Sequence, residues 1–261
     1  MPKIVPRTLL LLAGSLLLAG CSSHPATDAS YDRFMRLAND LDKRGDPVTA
    51  AAFYEQAAAQ PGAGVDAWLA LGQVRLKSGD TRGAERAFQQ ALELKPESAD
   101  GLLGLGTAQL RLGKLERAVA VLTRAGALFD LPAAYNRLGI AQILLGQAGE
   151  AQASFKKSLS LTPDDLDTQS NLALACALGG QSQQALDDIH SVSQSPRAQP
   201  RHQRNELLVM VLANREQDVM TAQMDDIAPI ERQQLLIEAR RIKAITDPRR
   251  QAQELGLIDS R

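Results

Sequence analysis

From Tyr31 to Gln199, apolar residues recur every three or four positions in short stretches parted by polar breaks, the spacing of one face of an α-helix. Every second break holds a glycine: Gly45, Gly79, Gly113, Gly146 and Gly180, separated by 34, 34, 33 and 34 residues. Five residues after each stands an alanine (Ala50, Ala84, Ala118, Ala151, Ala185), and four beyond that a large apolar side chain (Tyr54, Phe88, Leu122, Phe155, Ile189). With glycine at about 7% of residues, five in one chosen column arise by chance about once in a million. The period therefore belongs to the fold. Period-two alternation is missing, so no strands are expected. The pattern predicts helix pairs: each glycine marks a turn that needs left-handed backbone, and the small residues let helices approach closely. Asp46-Pro47 and Asp80-Thr81 read as starts of second helices. A single pair cannot cover its own apolar face, so the pairs must stack into a solenoid with one concave surface.

The second unit, "DAWLALGQVRLKSGDTRGAERAFQQALELKP", carries Trp68, Leu71, Gly72, Gly79, Ala84, Phe88, Ala91 and Pro96. The fourth carries Tyr135, Leu138, Gly139, Gly146, Ala151, Phe155 and Pro163, and the third Leu102, Leu105, Gly106, Gly113, Ala118, Leu122 and Ala125. In these positions the sequence resembles the tetratricopeptide repeat, with Arg75 replacing the family's aromatic residue and, in the looser first and fifth units, Ala38 and Ala173 where glycine is usual. The resemblance implies an all-α fold, a right-handed superhelical solenoid of antiparallel helix pairs. The units are placed at residues 31–64, 65–98, 99–131, 132–165 and 166–199. Residues 200–261 read as a degenerate sixth pair, a cap and a tail. In the sixth pair a helix from Pro200 would have a shorter partner at Val219 to Asp226. The capping helix, about Pro229 to Ile245, would bury Leu235, Ala239 and Ile242 and show Glu231, Arg232, Arg240 and Lys243. Asp247-Pro248 then reads as its stop, followed by a loosely ordered tail.

Ahead of the repeats the pattern differs. Lys3 and Arg7 precede a leucine-rich run from Thr8 to Gly20, which has the length of a secretory signal peptide rather than a membrane span. The run ends in Leu18-Ala19-Gly20-Cys21, which resembles the lipobox of bacterial lipoproteins. That resemblance implies removal of residues 1–20, diacylglycerol and an acyl chain on Cys21, and a polar tether at 21–30. Ser22 after the cysteine, where an aspartate would favour the inner membrane, points to the outer membrane, facing the periplasm. At about 0.8 kcal/mol per buried methylene, several acyl chains anchor a protein far better than one.

Without residues 1–20, which hold two basic residues and no acidic one, the formal net charge of −1 becomes −3. A chain with no basic bias is not built for nucleic acid. Once Cys21 is lipidated, Cys176 stands alone among Leu174, Ala175, Ala177 and Leu178, and reads as a buried thiol acting as a small hydrophobe. His24, His190 and His202 have no metal-ligand spacing, and no Walker loop, GxSxG elbow or dinucleotide fingerprint occurs. Asp164-Asp165 and Asp225-Asp226 fit helix starts. No catalytic or metal site and no cofactor are expected. An envelope-modifying enzyme is the reading of another class, and its mark would be a polar cleft joining His190 or His202 to acidic side chains.

In the resembled family the first helix of each repeat lines the concave groove. Carried onto this sequence, the groove columns hold Leu69, Gln73, Leu76 and Lys77; Leu103, Thr107, Leu110 and Arg111; Asn136, Ile140, Ile143 and Leu144; and Ser170, Leu174, Ala177 and Leu178. The partner-binding candidates among them are Leu69, Gln73, Leu76, Leu103, Thr107, Leu110, Asn136, Ile140, Ile143, Leu174 and Leu178. The carboxylate clamp of the family's chaperone-binding members is missing, because the second position reads Asp66, Asp100, Ala133 and Asp167. An apolar groove suits an amphipathic helix or an extended segment. The anchor, the repeats and the end "NELLVMVLANREQDVM" together resemble the pilotin-like lipoproteins of Tad (Flp) pilus assembly systems. This resemblance implies a secretin or other pilus assembly protein as partner and leaves homo-oligomerisation open. Adaptor roles in type IV pilus biogenesis, in β-barrel assembly or beside peptidoglycan enzymes are the alternatives.

Overall fold

A computed structural model describes residues 26–259. The expected signal peptide at 1–20, the expected lipidation site Cys21 and the first half of the expected tether lie outside the described residues. Thirteen α-helices and one turn of 3-10 helix, with no strand, make up the secondary structure of the described residues. None of these helices is long and apolar enough to cross a membrane.

The first ten helices form five antiparallel pairs: α1 (Ala26–Lys43) with α2 (Pro47–Ala58), α3 (Val65–Ser78) with α4 (Thr81–Leu94), α5 (Ala99–Arg111) with α6 (Leu115–Phe129), α7 (Pro132–Leu144) with α8 (Ala148–Leu161), and α9 (Leu166–Leu178) with α10 (Ser182–Ser193). Helix α1 starts at Ala26, inside the stretch expected to be tether, because Ala26 to Ser30 continue the helix by about one turn. All five column glycines have φ between +69° and +84°, the left-handed backbone on which the turn reading rested. Helices α2, α4, α5 and α9 begin on side-chain caps: the Asp46 carboxylate accepts from the Thr49 amide, Asp80 from Gly83, the Ser98 hydroxyl from Gly101, and Asp165 from Asp167.

The repeating core follows from the columns. Ala50, Ala84, Ala118, Ala151 and Ala185 are sealed from solvent, as are Phe88, Leu122, Phe155 and Ile189, with Tyr54 nearly so. Trp68 is half-buried beside the Tyr54 and Ala57 clusters. The first helices also touch one another in sequence, α3 to α5, α5 to α7, α7 to α9, and this row forms the concave face.

Beyond Gln199 the chain departs from expectation. Helix α11 (Pro200–Leu212) continues the row of first helices and packs on α9 and α10. Residues Val219 to Asp226 are not its helical partner: after a 3-10 turn at Glu216–Asp218 they run as a non-helical loop. Arg232 explains how that loop is held. Expected on the outer face, its guanidinium instead turns inward and donates to the carbonyls of Val219, Ala222 and Met224 at 2.8–3.4 Å. The loop in turn buries Val219, Met224 and Ile227. Helix α12 (Pro229–Lys243) takes the partner's place, burying Leu236, Ala239 and Ile242 against α11, with Leu235 only partly covered. The expected tail is a helix, α13 (Pro248–Asp259). Asp247 is its N-cap, accepting from the Arg250 amide at 2.7 Å, rather than a stop signal for α12.

Candidate functional site

The concave face is split lengthwise by chemistry. Along the C-terminal halves of α7, α9 and α11 it is apolar, with Ile140, Ile143, Leu144, Leu174 and Leu208, and across this strip lies α13. Ala252 packs with Ile143, Phe155 and Ala175, near Ile140 and Leu178; Leu255 packs with Leu208 and the α11–α12 cluster, near Leu174. At its N-terminal end α13 seats on the Gly146 turn, so closely that a Cβ at position 146 would lie 2.9 Å from the Arg249 amide nitrogen. Arg249 reaches Glu116 at 3.0 Å, and the Gln251 amide donates to the Ile242 carbonyl at 3.3 Å. Ile143, Leu174 and Leu178 are thus not an open apolar surface, as the sequence suggested. The chain's own helix covers them.

Along the N-terminal halves of the same helices the groove is polar and open, a cavity of about 570 Å³. The Asn171 amide donates to Asn136 Oδ1 at 3.2 Å, and Asn205 donates to the Ser170 hydroxyl at 2.9 Å. That first bond uses Asn136 Oδ1 and an Asn171 amide proton, so these two cavity-lining side chains keep Asn136 Nδ2 as a donor and Asn171 Oδ1 as an acceptor, the complement of a peptide unit. One wall is rigid. Arg201 grips Asp167 in bidentate fashion at 2.6 and 2.8 Å, also bonds Gln199, and His202 Nε2 lies 2.9 Å from the same carboxylate. The Arg201 bond first, then His202, holds the Asp167 carboxyl below the usual carboxylate range, against burial, which raises it. His202 Nδ1 accepts from the Gln199 amide at 3.0 Å, which leaves Nε2 to donate to Asp167.

The remaining candidates fall in a second stretch. Gln73, Leu76, Leu103 and Thr107 line a smaller cavity of about 200 Å³ with Lys77, Arg111 and Arg137. Leu69 and Leu110 pack between helices instead, Leu69 with the Phe88 cluster and Leu110 with the Leu122 cluster. Sequence reasoning missed Asn171, Asn205, Arg137 and Arg201. Asn136, Asn171 and Asn205 recur about one repeat apart, and that spacing was the signal available.

Both histidines do meet carboxylates. Besides the His202–Asp167 contact, His190 Nδ1 lies 2.9 Å from Glu206 Oε1 beside a cavity of about 540 Å³ formed by α10, α11 and the loop after α11. Among the described residues the only hydroxyl lining that cavity, Thr221, donates to the Asp218 carbonyl in its own loop rather than to the imidazole. Among the described residues no three His, Cys, Asp or Glu side chains are placed to hold a metal ion. Cys176 is buried, and burial pushes its thiol up, the opposite of an activated nucleophile.

Family models described as "Tetratricopeptide repeat" match residues 35–80, 69–129 and 132–165. No curated protein matches the sequence significantly. Among solved structures, a tetratricopeptide repeat protein from Parabacteroides merdae aligns over 89% of this chain and 93% of its own, with a TM-score of 0.69 at 16% identity. A crystal structure of MamA protein aligns over 64% of this chain and 92% of its own (TM-score 0.60, 21% identity), and MamA from Desulfovibrio magneticus over 63% and 94% (0.60, 19%). At such identities the likeness establishes the fold.

Proposed function

Since the chain is a tetratricopeptide-repeat protein, we propose that it is a non-enzymatic scaffold that holds a segment of a partner protein in its concave groove. The partner is the secretin, or another assembly protein, of a Tad (Flp) pilus system, and the scaffold sits on the outer membrane, facing the periplasm, through lipid on Cys21. The carrying observation is the open polar half of the groove, where Asn136 and Asn171 offer one donor and one acceptor at a cavity large enough for an extended segment. The lipobox residues Leu18 to Cys21 and the short polar stretch after them support the anchor. With α13 lying on the apolar strip, an extended strand in the polar channel fits better than the amphipathic helix an all-apolar groove would take.

The test is affinity capture from detergent-solubilised membranes, with the lipidated protein as bait and Cys21→Ser as the unanchored control. The expected result is recovery of a secretin or pilus component with the anchored form. Asn136→Ala with Asn171→Ala should weaken that capture about tenfold or more, from two hydrogen bonds at about 0.5–1.5 kcal/mol each. Recovery of barrel-assembly or cell-wall proteins instead would overturn the pilus assignment. Undiminished capture by the doubly substituted protein would overturn the site.

A further inference from the structure

The smaller cavity of the groove, between α3, α5 and α7, carries an unusual charge arrangement. Three cations line it, Lys77, Arg111 and Arg137, and no carboxylate does. Lys77 is neutralised, its ammonium held at 2.7 and 2.9 Å by the two oxygens of Asp42. The arginines are not. Arg111 Nη1 donates to the Leu76 carbonyl at 2.9 Å and Arg137 Nη1 to the Ala133 carbonyl at 3.3 Å, so backbone oxygens fix both, yet neither has a carboxylate within ion-pair reach among the described residues. Burial, and then the like charge of Arg111, holds the Arg137 guanidinium below its usual value. The acids of the neighbouring polar cavity are already engaged: Asp167 by Arg201 and His202, and Asp165 as the cap of α9. Arg137 is half-buried and Arg111 exposed at the rim; their like charges repel in the empty protein, and an anion placed between them relieves that repulsion.

We propose that Arg111 and Arg137 form a carboxylate-binding subsite that reads an aspartate or glutamate side chain in the segment held along Asn136 and Asn171. The inference rests on the groove reading above. Arg137 lines both cavities, so an occupant of the polar channel comes within its reach. A cavity of about 200 Å³ admits one acidic side chain and little more. Paired guanidinium groups give that carboxylate short, charge-assisted hydrogen bonds in a fixed geometry. Neither arginine belongs to the second-position column, Asp66, Asp100, Ala133 and Asp167, which carries no basic side chain, although Arg137 donates to the Ala133 carbonyl.

A fully randomised decapeptide array, in free-acid and C-terminally amidated forms, tests this with the full chain carrying Cys21→Ser. Aspartate or glutamate should be enriched at one position in both forms. Arg111→Gln and Arg137→Gln should each weaken the selected peptides at least tenfold. Replacing the peptide's Asp by Asn should do the same to the unsubstituted arginine pair and add nothing to Arg137→Gln. The thermal midpoint of Arg137→Gln should not fall, because a cation that only held the fold together would lower it when removed. Enrichment confined to free-acid peptides would move the subsite to a chain terminus and overturn the side-chain assignment. Binding with no acidic preference, or a preference that survives both substitutions, would overturn the subsite alone. No binding by any peptide would overturn the groove reading with it. Because the array contains no chosen secretin sequence, failure of the pilus assignment would leave its result standing.

Discussion

The Phe88 ring shows how finely the residue columns are set. It is sealed from solvent between two glycines of neighbouring helices: a Cβ at Gly72 would come within 2.7 Å of it and one at Gly104 within 2.3 Å. With Gly72 behind it the ring cannot retreat, so overpacking outweighs the gain of about 1 kcal/mol in helix propensity that alanine brings. Gly104→Ala should therefore lower stability by about 1–3 kcal/mol in urea unfolding. The same change at Gly149, where nothing lies within 4 Å of the new Cβ, should raise it by up to about 1 kcal/mol. Asp167 makes a prediction in pH. Its folded-state value lies below the unfolded value of about 4, so its contribution is complete above that value and is lost as pH falls through the folded one. Between pH 5 and pH 2 the urea midpoint of Asp167→Asn should fall less steeply than that of the unsubstituted chain. The glycine, alanine and large-apolar columns were legible because each acts through size and backbone conformation, which a residue's identity alone decides. The roles of Arg137 and Asn171 were not, because they depend on which neighbours a side chain finds after stacking.

At the scale of elements, the first ten helices could be read from the sequence because every pair repeats the same signals. The end of the chain could not, since each of its elements breaks the pattern differently. The loop before α12 is held by one arginine on backbone carbonyls, which leaves no periodic trace. Helix α13 buries only Ala252 and Leu255 in its described part, too sparse a stripe to show amphipathicity. Its start was nevertheless written in Asp247-Pro248, the same pair as Asp46-Pro47 at the start of α2. The groove reading shared this origin. The apolar positions were placed on the right face, but the segment covering them was taken for tail. Leu255→Arg should detach α13 and leave the solenoid folded. Amide exchange over residues 248–255 should then become fast, and binding of a hydrophobic dye should rise as Ile143 and Leu174 are uncovered.

Taken whole, the molecule is a scaffold with two unlike strips on one face. The apolar strip is occupied from within and the polar strip is open, so the surface offered to a partner is set by where the chain ends as much as by the repeats. Most contacts of a stacked solenoid join neighbours in sequence, and such arrays can start folding at any repeat and lose their ends piecemeal. The reach of Arg249 to Glu116, across 133 positions, ties the last helix to the third pair. That contact and the packing of Ala252 on Ile143 and Phe155 all close long loops, so α13 is expected to dock after the units between have stacked. The burial of Ala252 and Leu255, more than that exposed ion pair, couples α13 to the fourth, fifth and sixth pairs, so these units should resist the end-fraying expected of a plain row of repeats.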